Sequence, residues 1–203
     1  KKEKEADKIS MDRPVGEKGT IADIIEGVQD SEFTRIDEMD LAPGRKGAAK
    51  QIIKEGHELS EIDEKIVVKV PIIEEGLKAI DYFSKNKIKT NCTLIFSPAQ
   101  ALLAAKCGAT YVSPFIGRLD DWAKNDNAGI NMISEIKTIF KNYNYNTKIL
   151  AASIRNPQHI IECGKIGVDV ITTPLDSFIA LIKHPLTDTG LRKFLDDYKK
   201  TNP

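Results

Sequence analysis

A parallel α/β fold follows from two features of the chain. Between residues 66 and 200, five short apolar runs each give way to a stretch with helical periodicity. Strands alternating with helices of about ten to fifteen residues imply right-handed βαβ crossovers and a parallel sheet. Stop and start residues fall where such a plan needs them, as in Ser97-Pro98, Cys107-Gly108 and Gly167. Open doubly wound sheets and (β/α)8 barrels share this signature. No glycine-rich dinucleotide fingerprint and no GxxxxGK[ST] phosphate loop is present, which weakens the nucleotide-binding options.

The first strand is Ile66-Val67-Val68-Lys69-Val70-Pro71, with β-branched residues leading in and proline closing it. Alternation puts Val67 and Lys69 on one face and Ile66, Val68 and Val70 on the other. If both faces are covered, the Lys69 ammonium sits in a low-dielectric interior, where burial lowers its pKa. A neutral amine attacks carbonyl carbon. The structural alternative is a lysine that snorkels or pairs with a carboxylate.

A helix over 74–85 follows, opened by Glu74 and Glu75. Residues 88–96 form the second strand, with Asn91, Thr93 and Ile95 on one face. Two polar side chains inside an apolar strand need partners; a substrate hydroxyl and a bound water would serve, and so would neighbouring backbone groups. Ser97 caps the next helix, with Pro98 at its first position, and Gly108 ends it. Residues 110–115 are a strand, 117–128 a polar loop, 129–143 a helix and 147–153 a strand. A helix over 157–166 stops at Gly167. Residues 168–173 are the last strand, with helices at 175–183 and 187–200. The third and fourth strands end in Ser113 to Arg118 and Ser153 to Arg155, and arginines with serine or backbone donors on one rim make a phosphate clamp. Singly, each arginine also suits a surface salt bridge.

The first 65 residues differ in texture: they are highly charged and poor in strand signals. Lys1 to Lys8 is a charge run. Thr20 can cap a short helix to about Val28, Pro43-Gly44 is a break, and a helix runs from about Gly47 to Ser60 with Gly56 interrupting its apolar stripe. Lys+Arg and Asp+Glu are both 30, so net charge offers no reason to expect nucleic acid or an acidic membrane as partner. Cys92, Cys107 and Cys163 form no CxxC and no Cys/His cluster, so neither a disulfide framework nor a metal site is expected. With no apolar leader, a cytoplasmic protein is the expectation.

The ordered runs IVVKVP, GLKAI, IKTNCTLIFSPAQALLAAKCGATYVSPFIGRLDD, ILAASIRNPQH, TTPL and HPLTDTGLRKFLDD resemble the small transaldolase family, which includes the fructose-6-phosphate aldolases. Weaker similarity extends back to Ile52. The resemblance implies a (β/α)8 barrel over about residues 46–203, after an atypical charged segment over 1–45. It implies an enzyme of the pentose phosphate pathway that moves a dihydroxyacetone unit between sugar phosphates through a Schiff base. Carried over, Lys69 looks like the Schiff-base lysine, Asn91 like the residue that binds substrate hydroxyls, and Thr93 like the holder of the catalytic water. Ser113, Arg118, Ser153 and Arg155 look like the phosphate site. The resemblance implies no metal and no cofactor, since the iminium is the electron sink. It also implies rings of five or ten copies, with the C-terminal helix reaching a neighbour.

The N-terminal part departs from that family. Its first three strands carry an Asp, an Asn and a Glu for which no counterpart is recognisable; Glu38 is the nearest substitute for the Glu. Five strands do not close an eight-stranded barrel. Without the acidic groups the imine would still form, but turnover would fall, because positioned proton transfer contributes about 10² to 10⁴-fold. The alternative is therefore a catalytically impaired sugar-phosphate-binding or interaction protein. Residues 9–26, in one short motif, resemble the linker that enters the active-site cleft of RNA polymerase in bacterial sigma factors, and imply that polymerase as a further partner.

Overall fold

In the computed structural model, residues 48–201 are described; expectations that fall on residues 1–47, including the sigma-like motif, Glu38 and the short helix after Thr20, lie outside them. The described elements are α1 (Ala48–Ser60), β1 (Val68–Pro71), α2 (Glu74–Lys85), β2 (Thr90–Ile95), α3 (Pro98–Lys106), β3 (Tyr111–Pro114), α4 (Ile116–Ala123), α5 (Ala128–Asn142), β4 (Lys148–Ala151), α6 (Pro157–Ile166), β5 (Val170–Ile171), α7 (Leu175–Ile179) and α8 (Pro185–Thr201). A 3-10 turn over Ala180–Ile182 follows α7. The strands follow one another in the sheet in chain order. The alternation of parallel strand and helix is that of the (β/α)8-barrel type.

The described chain forms two compact units, one of residues 48–93 with 106–110 and one of residues 94–105 with 111–201. In the first, β1 and β2 pair in parallel, with Val68 opposite Thr90 and Lys69 opposite Asn91. Val68 and Val70 point into the core, with Ile52, Ala79, Ile80 and Phe83. Gly76 lets the first turn of α2 close on the end of β1, since a Cβ there would run into the Pro71 carbonyl. Glu75, in the same turn, accepts the Ala49 N–H at 3.1 Å and so satisfies one open donor at the start of α1. Lys78, hydrogen-bonded to Glu75, holds that carboxyl below its usual range, aided by the Ala49 N–H.

In the second unit, β3 pairs with β4 and β4 with β5, again in parallel. Leu94 and Ile95 belong to this unit, and the Phe115 N–H donates to the Ile95 carbonyl at 3.0 Å. Ser97 caps α3, its Oγ accepting the Gln100 N–H at 3.3 Å, while Gln100 Oε1 accepts the Phe96 N–H at 2.8 Å. This is close to a reciprocal capping box. Ile116, Ile133, Ile136, Ile149, Ala151 and Cys163 are fully buried around the strands.

The structure corrects three expectations. Residues 117–123, the first part of the loop expected over 117–128, belong to α4. Its buried positions Ile116, Gly117 and Asp120 include a glycine and an aspartate, so the apolar periodicity that marks a helix is absent. Lys69 is half-buried rather than sealed in an interior, since β1 is the outer strand among the described residues. The strict alternation expected through Ile95 stops at Leu94, which has a left-handed φ of 61°. Among the described residues, no helix is long and apolar enough to cross a membrane.

Two predictions follow from the packing. Gly56 lies against the ring of the fully buried Phe83, and a Cβ would overlap it. Gly56→Ala gains roughly 1 kcal/mol of helix propensity but loses about 1–3 kcal/mol to overpacking, so urea denaturation should show no net stabilisation and, in most of that range, a loss. Burial pushes the Cys92 thiol up to about 12 and Cys163 to about 11. Both therefore stay protonated at pH 8, and iodoacetamide should label the half-buried Cys107 before either, as read by peptide mass mapping.

Candidate active site

In the first unit the parallel register decides which side chains are neighbours. Lys69 and Asn91 are direct partners across β1 and β2, on the same face, about 4.8 Å apart in backbone spacing. Thr93 lies two residues further along that face, opposite Pro71. Asn91 is buried at 8% exposure and Thr93 at 0%. Among the described residues the Thr93 hydroxyl has no hydrogen-bond partner, although a buried hydroxyl left alone costs about 1–3 kcal/mol. A water or substrate oxygen within reach would remove that cost. A primary amine, an amide and an unpaired hydroxyl on one strand face can bind a carbonyl compound, orient its hydroxyls and hold a water. Lys69 itself is half-buried.

In the second unit, the serine and arginine of the β4 end meet the start of α4. The Ile116 N–H donates to the Ala152 carbonyl at 3.0 Å and the Gly117 N–H to the Ser153 carbonyl at 2.9 Å. The Arg118 N–H donates to Ser153 Oγ at 3.2 Å. The first open N–H groups of α4 are thus taken up by the β4 end. An anion at this junction would be held by side chains, not by the helix terminus. Ser153 adopts a left-handed φ of 59°, a conformation a non-glycine residue keeps only when held on both sides.

Both arginines are exposed. The Arg118 guanidinium lies 4.8 Å from the centre of the Phe115 ring. Arg155 Nη2 is 2.8 Å from Asp121 Oδ2, a pair open enough to solvent to exchange for a better anion. Gly117 presses on the Arg155 side chain and the Ser153 carbonyl. The structure therefore brings Arg118, Ser153 and Arg155 together. Ser113 is buried inside β3 and belongs to the same unit, but the Arg118 N–H is bound by Ser153 and not by it.

Sequence reasoning missed two residues behind this junction. Asp120 and His159 are buried, at 7% and 6% exposure, with Asp120 Oδ2 and His159 Nε2 3.4 Å apart. Asp120 lies in a segment that reads as a polar loop, with no apolar pattern around it to flag it. Among the described residues, no group of His, Cys, Asp and Glu could hold a metal ion.

The profile described as Transaldolase/Fructose-6-phosphate aldolase matches residues 40–202. A protein of Cytophaga hutchinsonii named probable transaldolase is 53% identical over 182 residues, covering 90% of this chain and 77% of its own. Proteins with the same name from Phocaeicola vulgatus and Bacteroides thetaiotaomicron are 58% and 56% identical over 151 residues, covering 74% of this chain and 68% of theirs. Among solved structures, one of mandelate oxidase with 2-hydroxy-phenylacetamide shares 13% identity at a TM-score of 0.46, over 64% of this chain and 46% of that one, too slight a likeness to weigh.

Gly117 offers a direct check of the junction. A Cβ there would lie 2.6 Å from the Ser153 carbonyl oxygen, a backbone atom that cannot swing aside. Gly117→Ala should cost about 1–3 kcal/mol of stability, measured by urea unfolding.

Proposed function

Since the chain belongs to the transaldolase/fructose-6-phosphate aldolase family, we propose that it transfers a dihydroxyacetone unit between sugar phosphates through a Schiff base on Lys69. The single observation that most supports this is the register that pairs Lys69 with Asn91 on the face that also carries the Thr93 hydroxyl, which has no partner among the described residues.

In this reading the Lys69 amine adds to the C2 carbonyl of a ketose phosphate, and the carbinolamine loses water to give an iminium. The C3–C4 bond then breaks as the C4 hydroxyl gives up its proton. The bonding pair moves onto the iminium carbon chain to form an enamine, and an aldose phosphate departs. The enamine carbon attacks the aldehyde carbon of the acceptor, whose oxygen takes a proton. Water hydrolyses the new iminium and frees the lysine. Asn91 orients substrate hydroxyls, and Thr93 holds the water that adds and leaves.

Arg118, Arg155, Ser153 and Ser113 take the phosphate role. The Ser153 hydroxyl accepts from a backbone N–H and keeps its own proton to donate to an anion. Two guanidinium groups supply charge-assisted donors of the geometry phosphate oxygens accept.

Self-association belongs to the same reading. Leu186, Leu191, Phe194, Leu195 and Tyr198 are at least half exposed on α8, which has no buried residue. A neighbouring copy covering this helix would give the homo-oligomer, a ring of five or ten, that the family resemblance implies.

Borohydride reduction in the presence of fructose 6-phosphate should leave a stable adduct on Lys69, located by peptide mass mapping. Lys69→Arg keeps the charge but removes the nucleophile, and should lower transfer to erythrose 4-phosphate by about a thousandfold or more. An adduct on another lysine, or none, would sink the reading.

A further inference from the structure

We propose that Asp120 and His159 are positioning residues for the anion site at the junction of α4 and the β4 end, an inference that rests on the phosphate reading of Arg118 and Arg155. Asp120 lies on α4, two residues after Arg118. Its Oδ1 accepts the Gly129 N–H at 2.8 Å, in the first turn of α5. Its Oδ2 faces His159 Nε2 on α6. One carboxylate thus ties three helices together beneath the rim, with its charge beside the positive end of α5.

The contacts have a consistent polarity. The Arg155 N–H donates to His159 Nδ1 at 3.4 Å, so that nitrogen is the acceptor and the ring proton sits on Nε2. Nε2 is the atom turned to Asp120. Oδ2 and Nε2 are 3.4 Å apart and, among the described residues, Oδ2 has no aligned hydrogen-bond donor, so the contact is one of the carboxylate charge with the Nε2–H dipole. The His159 N–H itself is capped by Asn156 Oδ1 at 3.0 Å, which fixes the ring's helix in place. The peptide of Arg155 is therefore held by His159 on one side, while Ser153 is held by Gly117 and Arg118 on the other. Asp120 and His159 together set the placement of the Arg155 segment relative to the Arg118 segment.

A buried polar pair is a poor way to gain stability, because well-packed apolar residues of the same volume do as well or better. It is a good way to fix the direction of a peptide. Asp120→Asn tests this with almost no change of shape. Its one amide oxygen can serve either the Gly129 N–H or His159 Nε2–H, and its NH2 then opposes the other donor. The imidazole relieves that conflict by moving its proton to Nδ1, which ends the contact with the Arg155 N–H. His159→Phe keeps the ring and removes both nitrogens. His159→Asn keeps an oxygen near the Nδ1 position, where it can accept from the Arg155 N–H.

The experiment compares borohydride trapping of the full chain by fructose 6-phosphate and by dihydroxyacetone, which lacks phosphate. Asp120→Asn and His159→Phe should raise the half-saturating concentration of fructose 6-phosphate about tenfold, the lower end for a residue that orients a ligand-holding one. They should leave that of dihydroxyacetone unchanged, and His159→Asn should recover most of the loss. Equal losses with both ketones, or no loss with either, overturn the inference. Arg155→Ala separates this failure from that of the underlying reading. If it discriminates between the two ketones while Asp120→Asn and His159→Phe do not, only the positioning role fails. If it does not discriminate, the phosphate reading fails and the inference with it. Circular dichroism establishes folding, and if His159→Phe does not fold, the near-isosteric Asp120→Asn and His159→Asn decide the matter.

Discussion

Parallel pairing is the constraint on which the rest depends. A parallel strand cannot return through a tight turn, so each strand must hand the chain to a helix that crosses back over the sheet. It also brings residues from distant parts of the chain to the same height in register. Lys69 meets Asn91 because Val68 meets Thr90, and the end of β4 meets the start of α4 because Phe115 bridges to Ala152. Side chains that carry the proposed chemistry are neighbours because of backbone hydrogen bonds, not because of any attraction among themselves.

The two groups of candidate residues are held by different means. Lys69, Asn91 and Thr93 sit on regular strands, where the ladder fixes position and the pleat fixes direction. Arg118, Ser153 and Arg155 sit where strands give way to helices and the ladder has ended. There the backbone is held by a left-handed Ser153, by N–H groups of α4 and by His159, with Asp120 behind it. Irregular backbone needs more partners per residue than a strand does, which explains why a buried carboxylate and imidazole lie at this spot.

Most helix ends were legible because their chemistry is local. Ser97-Pro98, Pro157 and Gly167 act within one turn of where they stand, and the structure has them as caps or first residues, with Asn156 capping the helix that Pro157 starts. α4 was not legible because its inward face carries Gly117 and Asp120, residues chosen for contacts with Ser153, Arg155 and Gly129 that lie up to 38 positions away. The same holds for Gly56, which reads as a flaw in an amphipathic helix until Phe83 is seen against it.

From residue order alone came the alternation of strand and helix, most of the boundaries, and Lys69, Arg118 and Arg155 as the residues to inspect, since these depend on periodicity and on caps a few residues long. The half-exposed setting of Lys69, the break at Leu94 and the pairing of Asp120 with His159 came only with the folded chain. Each of these is decided by which segment lies alongside another in space, and separation along the chain carries no record of that.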